Sequence, residues 1–364
     1  MKIVIASTGR AHLLDTAREL LCQGNEVHFY SYTSKKNCVN LGFSLNNFHS
    51  LRFLMFPFLV IDKIFHKEWT RTLLRLAIDN FMALLLPQCD VFICKSPNFP
   101  YSMKKAKRKG ALVLLDRGST HVRKFNKLLE EYKGILQPEF YCKLDEAQYK
   151  LADYIVVGSN YVADSFVEYG IPRKRLFVNN YGFGMKNFYP TELQSDHYDL
   201  IFVGQWCKRK GCNLLKDYIE THPNRSLLHV GSVIDIQMPS TDNFKHIDSV
   251  PEPELIKYYS MAKVFILPSR DEGLALVQLQ AVACGLPLVI TYNTGGSDLL
   301  QYIDDNKWIN IMQSFYMNEM ESKVETAIKL ADSQHGCRQY CHDLENKVSW
   351  YAYGKRYNEF LKSI

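Results

Sequence analysis

Apolar and polar positions follow two rhythms along this chain. Short, mainly apolar runs recur, most of them ended by a polar residue, Gly or Pro: Lys2 to Ala6, Glu26 to Tyr30, Val91 to Cys94, Ala111 to Leu115, Asp199 to Val203, Leu227 to Val230, Lys263 to Leu267 and Leu288 to Ile290. Such runs suit strands buried on both faces of a parallel sheet. Between them, apolar residues recur at helical spacing, as in Leu13, Leu14, Ala17, Leu20 and Leu21, where Gly24-Asn25 marks the stop. Helices are likewise predicted within 51–88, over Ser102 to Lys109, over Pro251 to Ala262 and in the tail Val348 to Leu361. The alternation predicts an α/β fold with two Rossmann-like βαβ domains. The first βα turn lacks G-x-G-x-x-G, so it is not read as a dinucleotide site.

A length of 364 residues and an apolar fraction of 47% suit two cores. No apolar run reaches the roughly 18 residues of a spanning helix. Met1 to Ala6 reads as a strand rather than a signal peptide, so a cytoplasmic protein is expected. The ten cysteines show no framework spacing, and Cys22, Cys94 and Cys284 read as small core residues. His335, Cys337, Cys341 and His342 form the one local group to check for zinc, but they lack a distant second pair, and no metal is expected.

The net charge of +6 is uneven: Met1 to Met185 holds 26 Lys and Arg against 16 Asp and Glu. That basic half contains Leu51 to Trp69, LRFLMFPFLVIDKIFHKEW, and the Lys/Arg run of 104–109. Two readings fit: basic residues and exposed aromatics on an anionic membrane surface, or core aromatics under a solvated basic face. No nucleic-acid recognition motif accompanies the patch, so nucleic acid is not expected as a partner.

Candidate chemistry gathers where strands end. Pro268 to Pro287, PSRDEGLALVQLQAVACGLP, runs from a strand through an acidic Gly turn into a helix that stops at Gly285 and Pro287. Unpaired N–H groups in the first turn of such a helix, with Gly273 leaving room, suit a phosphate. Glu272 can accept hydrogen bonds from hydroxyls. Gly204 to Gly211 ends another strand and carries Arg209 and Lys210, two cations suited to phosphate oxygens. Asp116-Arg117-Gly118-Ser119-Thr120-His121 follows a third strand, and functional groups collect beyond the carboxyl ends of parallel strands. At the first turn Gly9, Arg10 and His12 are local candidates, with His12 read more readily as a helix-terminal residue without a role.

The chain resembles the retaining glycosyltransferases of family 4, which have the GT-B fold. The resemblance rests on PS-x-x-E-G with A-x-A-x-G-x-P at 268–287, on the K-G loop at 210–211, and on the Ala152-Asp153 segment that the family places at the last strand of its first half. It implies a domain of residues 1–187 binding the acceptor and a domain of 188–345 binding a nucleotide-sugar. Between them lies a central cleft, and a helix at 346–364 returns to the first domain. It implies Asp116, His121 and Glu272 near the reacting sugar. It implies a donor site formed by Gly9, Arg209, Lys210, Val250, Glu272, Gly273, Leu274, Ala275, Leu276 and Gln280. Where the family has a second Glu, this chain has Gln280, which would meet the ribose with an amide.

The activity so implied moves a sugar, with retention, from a nucleotide-diphosphate sugar to a saccharide or lipid-linked acceptor in surface-glycan synthesis. It needs no cofactor or metal and suits the inner membrane face. Two alternatives stay open: a catalytically silent homologue acting as a binding subunit, which Gln280 alone supports, and a GT-B nucleotide-sugar epimerase.

Overall fold

The computed structural model describes residues 1–9, 12–184, 186–194, 197–303, 305–334, 338 and 343–364. The first half contains β1 (Lys2–Ala6), α1 (Leu13–Cys22), β2 (Glu26–Ser31), α2 (Lys35–Asn40), β3 (Phe48–Ser50), α3 (Arg52–Phe65) and α4 (Glu68–Leu85). It continues with β4 (Val91–Lys95), α5 (Pro100–Arg108), β5 (Leu112–Arg117), α6 (Val122–Glu131), α7 (Glu139–Leu151), β6 (Tyr154–Val157), α8 (Asn160–Glu168) and β7 (Leu176–Val178). The second half contains β8 (Tyr198–Val203), α9 (Cys212–Thr221), β9 (Leu227–Val230), β10 (Phe244–Ile247), α10 (Leu255–Ser260), β11 (Ala262–Leu267), α11 (Leu276–Ala283), β12 (Leu288–Thr291), β13 (Ile309–Met312), α12 (Met317–Ser333), α13 (Leu344–Val348) and α14 (Trp350–Ser363).

Two wholly parallel sheets result, in the orders β3-β2-β1-β4-β5-β6-β7 and β10-β9-β8-β11-β12-β13. The central strands are apolar throughout because helices cover both faces; Ile3, Val4, Ile5 and Leu200 to Phe202 have no exposed surface. Each order reverses once, between β1 and β4 in one sheet and between β8 and β11 in the other. The loops that splay apart at such a reversal leave a crevice beyond the carboxyl ends of the strands. The crevices of both sheets face each other.

Several boundaries differ from the sequence reading. The first sheet does not end at β6, because β7 adds a further strand in register with it (Val156 beside Phe177). Pro251 to Ala262 is a short 3-10 turn followed by α10, and Ala262 already belongs to β11. Cys22 is exposed at the end of α1 rather than in the core, whereas Cys94 and Cys284 are buried. His335, Cys337, Cys341, His342 and Arg10 lie outside the described residues.

The tail closes on the first half. In α14, Tyr353 and Tyr357 are fully buried; the Tyr353 hydroxyl lies 3.2 Å from Thr16 Oγ1, and Asn358 Oδ1 accepts from Asn25 Nδ2 at 2.9 Å. Burying such a ring contributes about 1.5–3 kcal/mol. Gly354 permits the approach: a Cβ there would come within 2.4 Å of Glu19 Cβ on α1.

Candidate active site between the two sheets

The site is built from the loops at both reversals. After β8, a 3-10 turn, Lys208–Lys210, carries Arg209 and Lys210 and ends at Gly211, whose φ of 74° lies in the left-handed region. A Cβ on Gly211 would sit 2.0 Å from the Pro268 carbonyl oxygen, so only glycine lets this loop lie on the one after β11. Backbone bonds tie the two together: Arg270 N–H donates to Arg209 O at 2.8 Å. Glu272 is fixed from the other side, its N–H donating to Asn293 O at 3.0 Å and its carbonyl accepting from Gly295 N at 3.1 Å.

The Glu272 carboxylate binds both cations. Its Oε2 accepts from Lys210 Nζ in a close ion pair and from Arg209 Nη1 at 3.1 Å. Burial acts to raise its pKa, yet Lys210 and then Arg209 outweigh that and hold it below the usual carboxylate range. Arg209 Nη1 also donates to Asp271 O at 2.9 Å.

Across the cleft, β5 carries Asp116 in register with Lys95 and Val156, and the side chain is 2% exposed. Asp116 Oδ1 lies 2.8 Å from Nε2 of His12, which follows the first turn. His12 packs against the Tyr181 ring at 4.5 Å. Burial raises the Tyr181 hydroxyl well above its ordinary pKa, and Asp116, Tyr353 and Glu272 add to the shift. Tyr181, between Asn180 and Gly182, therefore stands within electrostatic reach of both candidate carboxylates. His12 from the first half and Leu276 at the first turn of α11 line one cavity of about 910 Å³, together with Glu252, Lys186 and Trp350.

The structure does not bring His121 to this group. Its Nδ1 caps α6 by accepting from Arg123 N at 3.2 Å, and its ring stacks on Tyr169 at 4.6 Å beside Tyr149 and Phe166. Arg117 is likewise structural, paired with Asp145 at 3.2 Å. Gly9 sits in the open first turn, where a Cβ would meet nothing within 4 Å.

Gly273 has a purpose the sequence did not suggest. A Cβ there would lie 2.1 Å from Gly118 O, so its bareness lets the two halves meet. Ser159 Oγ donates to Gly273 O at 2.5 Å, Thr120 Oγ1 to Asp271 Oδ1 at 3.2 Å, and Asn180 Nδ2 to Asp298 Oδ2 at 2.9 Å. Leu274 and Ala275 are buried, and the expected helix starts only at Leu276, with the Gln278 side chain accepting from Ala275 N. Val250 is half-buried in the loop between β10 and α10. Gln280 is 4% exposed, and its Oε1 accepts from the Tyr259 hydroxyl at 3.3 Å. Among the described residues, no group of three or more His, Cys, Asp or Glu side chains could hold a metal.

Two Rossmann-like domains whose switch-point loops converge on one cleft define the GT-B architecture of glycosyltransferases. Sucrose-phosphate synthase from Thermosynechococcus elongatus superposes with a TM-score of 0.67 at 15% identity, over 100% of this chain and 98% of that one. Anabaena HepE in complex with UDP-glucose gives 0.66 at 11% identity over the whole of both chains. Residues 186–341 match the family described as Glycosyl transferases group 1, so the second half carries the domain of that family. An uncharacterized 41.2 kDa protein from the cps region of Klebsiella pneumoniae is 25% identical over 217 residues, covering 53% of this chain and 60% of that protein. The capsular polysaccharide biosynthesis glycosyltransferase CapM of Staphylococcus aureus is 23% identical over 187 residues, covering 47% of this chain and 48% of CapM. The matches thus span about half the length of these curated relatives.

Proposed function

We propose that this chain transfers a sugar from a nucleotide-diphosphate sugar to a saccharide or lipid-linked acceptor, with retention at the anomeric carbon. The observation that carries the reading is the pairing of Glu272 with Lys210 and Arg209 at the switch point of the second sheet. Two cations sharing one carboxylate keep a net positive charge and form a preset diphosphate seat. An arriving diphosphate takes over the cations and leaves Glu272 to accept hydrogen bonds from the sugar hydroxyls. As the glycosidic bond breaks, Arg209 and Lys210 offset the charge growing on the leaving group. This supplies the positive charge from the protein, so no cofactor or metal is invoked. Asp116, steadied by His12, lies on the acceptor side, where a carboxylate stabilises positive charge developing at the anomeric carbon. Retention follows if the acceptor attacks on the face the diphosphate leaves, with a phosphate oxygen taking its proton. Closure of the two halves excludes water, the competing acceptor.

A role in surface-polysaccharide synthesis is supported by the likeness to CapM and to the cps-region protein. Calorimetry against a panel of nucleotide sugars tests the reading. Binding lost in Lys210→Ala, with slow release of nucleoside diphosphate by the unaltered protein, is the expected result. No binding and no release by a folded sample would overturn it in favour of a silent subunit.

A further inference from the structure

We infer that α3, with the turn into α4, is a docking surface for an anionic lipid bilayer, and that it holds the acceptor side of the cleft against the membrane. This goes beyond glycosyl transfer, and its test is separate from that of the donor site.

Helix α3 is apolar on both faces. Its inner face, Met55 with Phe58 and Leu59, packs on the first core. Its outer face is a stripe at helical spacing, Phe53, Phe56, Val60 and Ile64, continued at the turn by Phe65 and Trp69. Phe53 is 89% exposed, Phe56 63%, Ile64 65% and Trp69 54%. The sequence left open whether these aromatics are core; the structure puts them outside. Water-facing apolar area on this scale marks an interaction site.

Charge decides the occupant. Arg52, Lys63, Lys67 and Arg71 are all exposed around the stripe. The acids nearby are Asp62, which accepts from Thr70 Oγ1 at 2.5 Å, and the exposed Glu68. A second copy seated face to face would set like charges against each other, whereas anionic headgroups complement them while the stripe enters the acyl boundary. No helix among the described residues is long and apolar enough to cross a membrane, so the contact lies in the plane of the interface.

The position gives the contact a purpose. Helix α3 begins directly after the carboxyl end of β3, with Leu51 N donating to Ser31 O at 2.9 Å. The helix therefore borders the edge of the first sheet that faces the cleft. An acceptor carried by a membrane lipid would reach His12 and Asp116 from this side.

Flotation of the full chain with vesicles of phosphatidylcholine alone, or with added phosphatidylglycerol, tests the inference. The protein is expected to float with the anionic vesicles, to be released by salt, and to ignore the neutral ones. F53S/F56S/I64S should lower binding by about tenfold or more, and K63E/K67E by on the order of fivefold per cation. Both variants should bind nucleotide sugar as the unaltered protein does. Failure to float, or equal binding by both variants, would overturn the inference. A dimer in solution that dissociates in F53S/F56S/I64S would overturn it too, by giving the face to a second copy.

Discussion

His12 Nε2 stands 2.8 Å from Asp116 Oδ1, joining residues 104 positions apart at the carboxyl edge of the first sheet. Neither group can be judged alone. The imidazole fixes the orientation of a carboxylate that is otherwise 2% exposed and ringed by apolar strands.

Asp116→Asn keeps the shape and an acceptor oxygen but removes the charge. Transfer should fall by about a hundredfold, with donor affinity little changed, because the donor cations belong to the other half. Initial rates and calorimetry on the same sample separate the two effects.

Glu272→Gln should abolish measurable transfer yet preserve, or tighten, binding of a free nucleoside diphosphate, since Lys210 and Arg209 lose their internal counter-ion. Lys210→Met should remove that binding. It should lower stability by about 1–3 kcal/mol, less than the roughly 3–5 kcal/mol for stranding a buried charge, because Arg209 still pairs with Glu272. Denaturant melts and titration calorimetry distinguish these outcomes.

Acid should weaken the fold through two histidines. Burial pushes both His121 and His229 down to about 4 from an ordinary 6.5. Between those values the unfolded chain binds more protons than the folded one, so stability falls as pH drops from 6.5 to 4 and levels off below. Each shift corresponds to at most about 3 kcal/mol. Urea midpoints across that window should drop, and His121→Asn, which retains a cap for α6, should flatten the slope.

Gln280→Glu keeps an acceptor for the Tyr259 hydroxyl but places a charge where only 4% of the residue is exposed. Thermal stability at neutral pH should fall by about 1–3 kcal/mol and recover in acid as the new carboxyl protonates. Donor affinity is expected to stay the same or improve. A large loss would mean that the amide itself contacts the donor.

The strands and the donor loops were legible because each is a local pattern. An apolar run followed by Gly, or Glu-Gly before an apolar helix, carries its own meaning. His12 was ambiguous for the opposite reason: a lone His after a first turn acquires a role only through Asp116. His121 misled because D-R-G-S-T-H places it five residues from Asp116, whereas the start of α6 turns its ring into the aromatic group of Tyr149, Phe166 and Tyr169. Tyr181 was not singled out for the site, since its neighbours there, His12 and Asp116, are brought to it by folding.

By itself the sequence determined two parallel sheets and the strand-end loops that carry Glu272 and the Lys210-Gly211 turn, because strand burial and turn chemistry are set within a few residues; that Glu272 pairs with Lys210 was decided by the tertiary structure. Only the tertiary structure decided which groups meet across the cleft, that Gly273 serves the contact with Gly118, and that the aromatic stripe of α3 faces outward. Those depend on how two independently patterned halves pack, and packing is a relation between segments that a linear pattern does not contain.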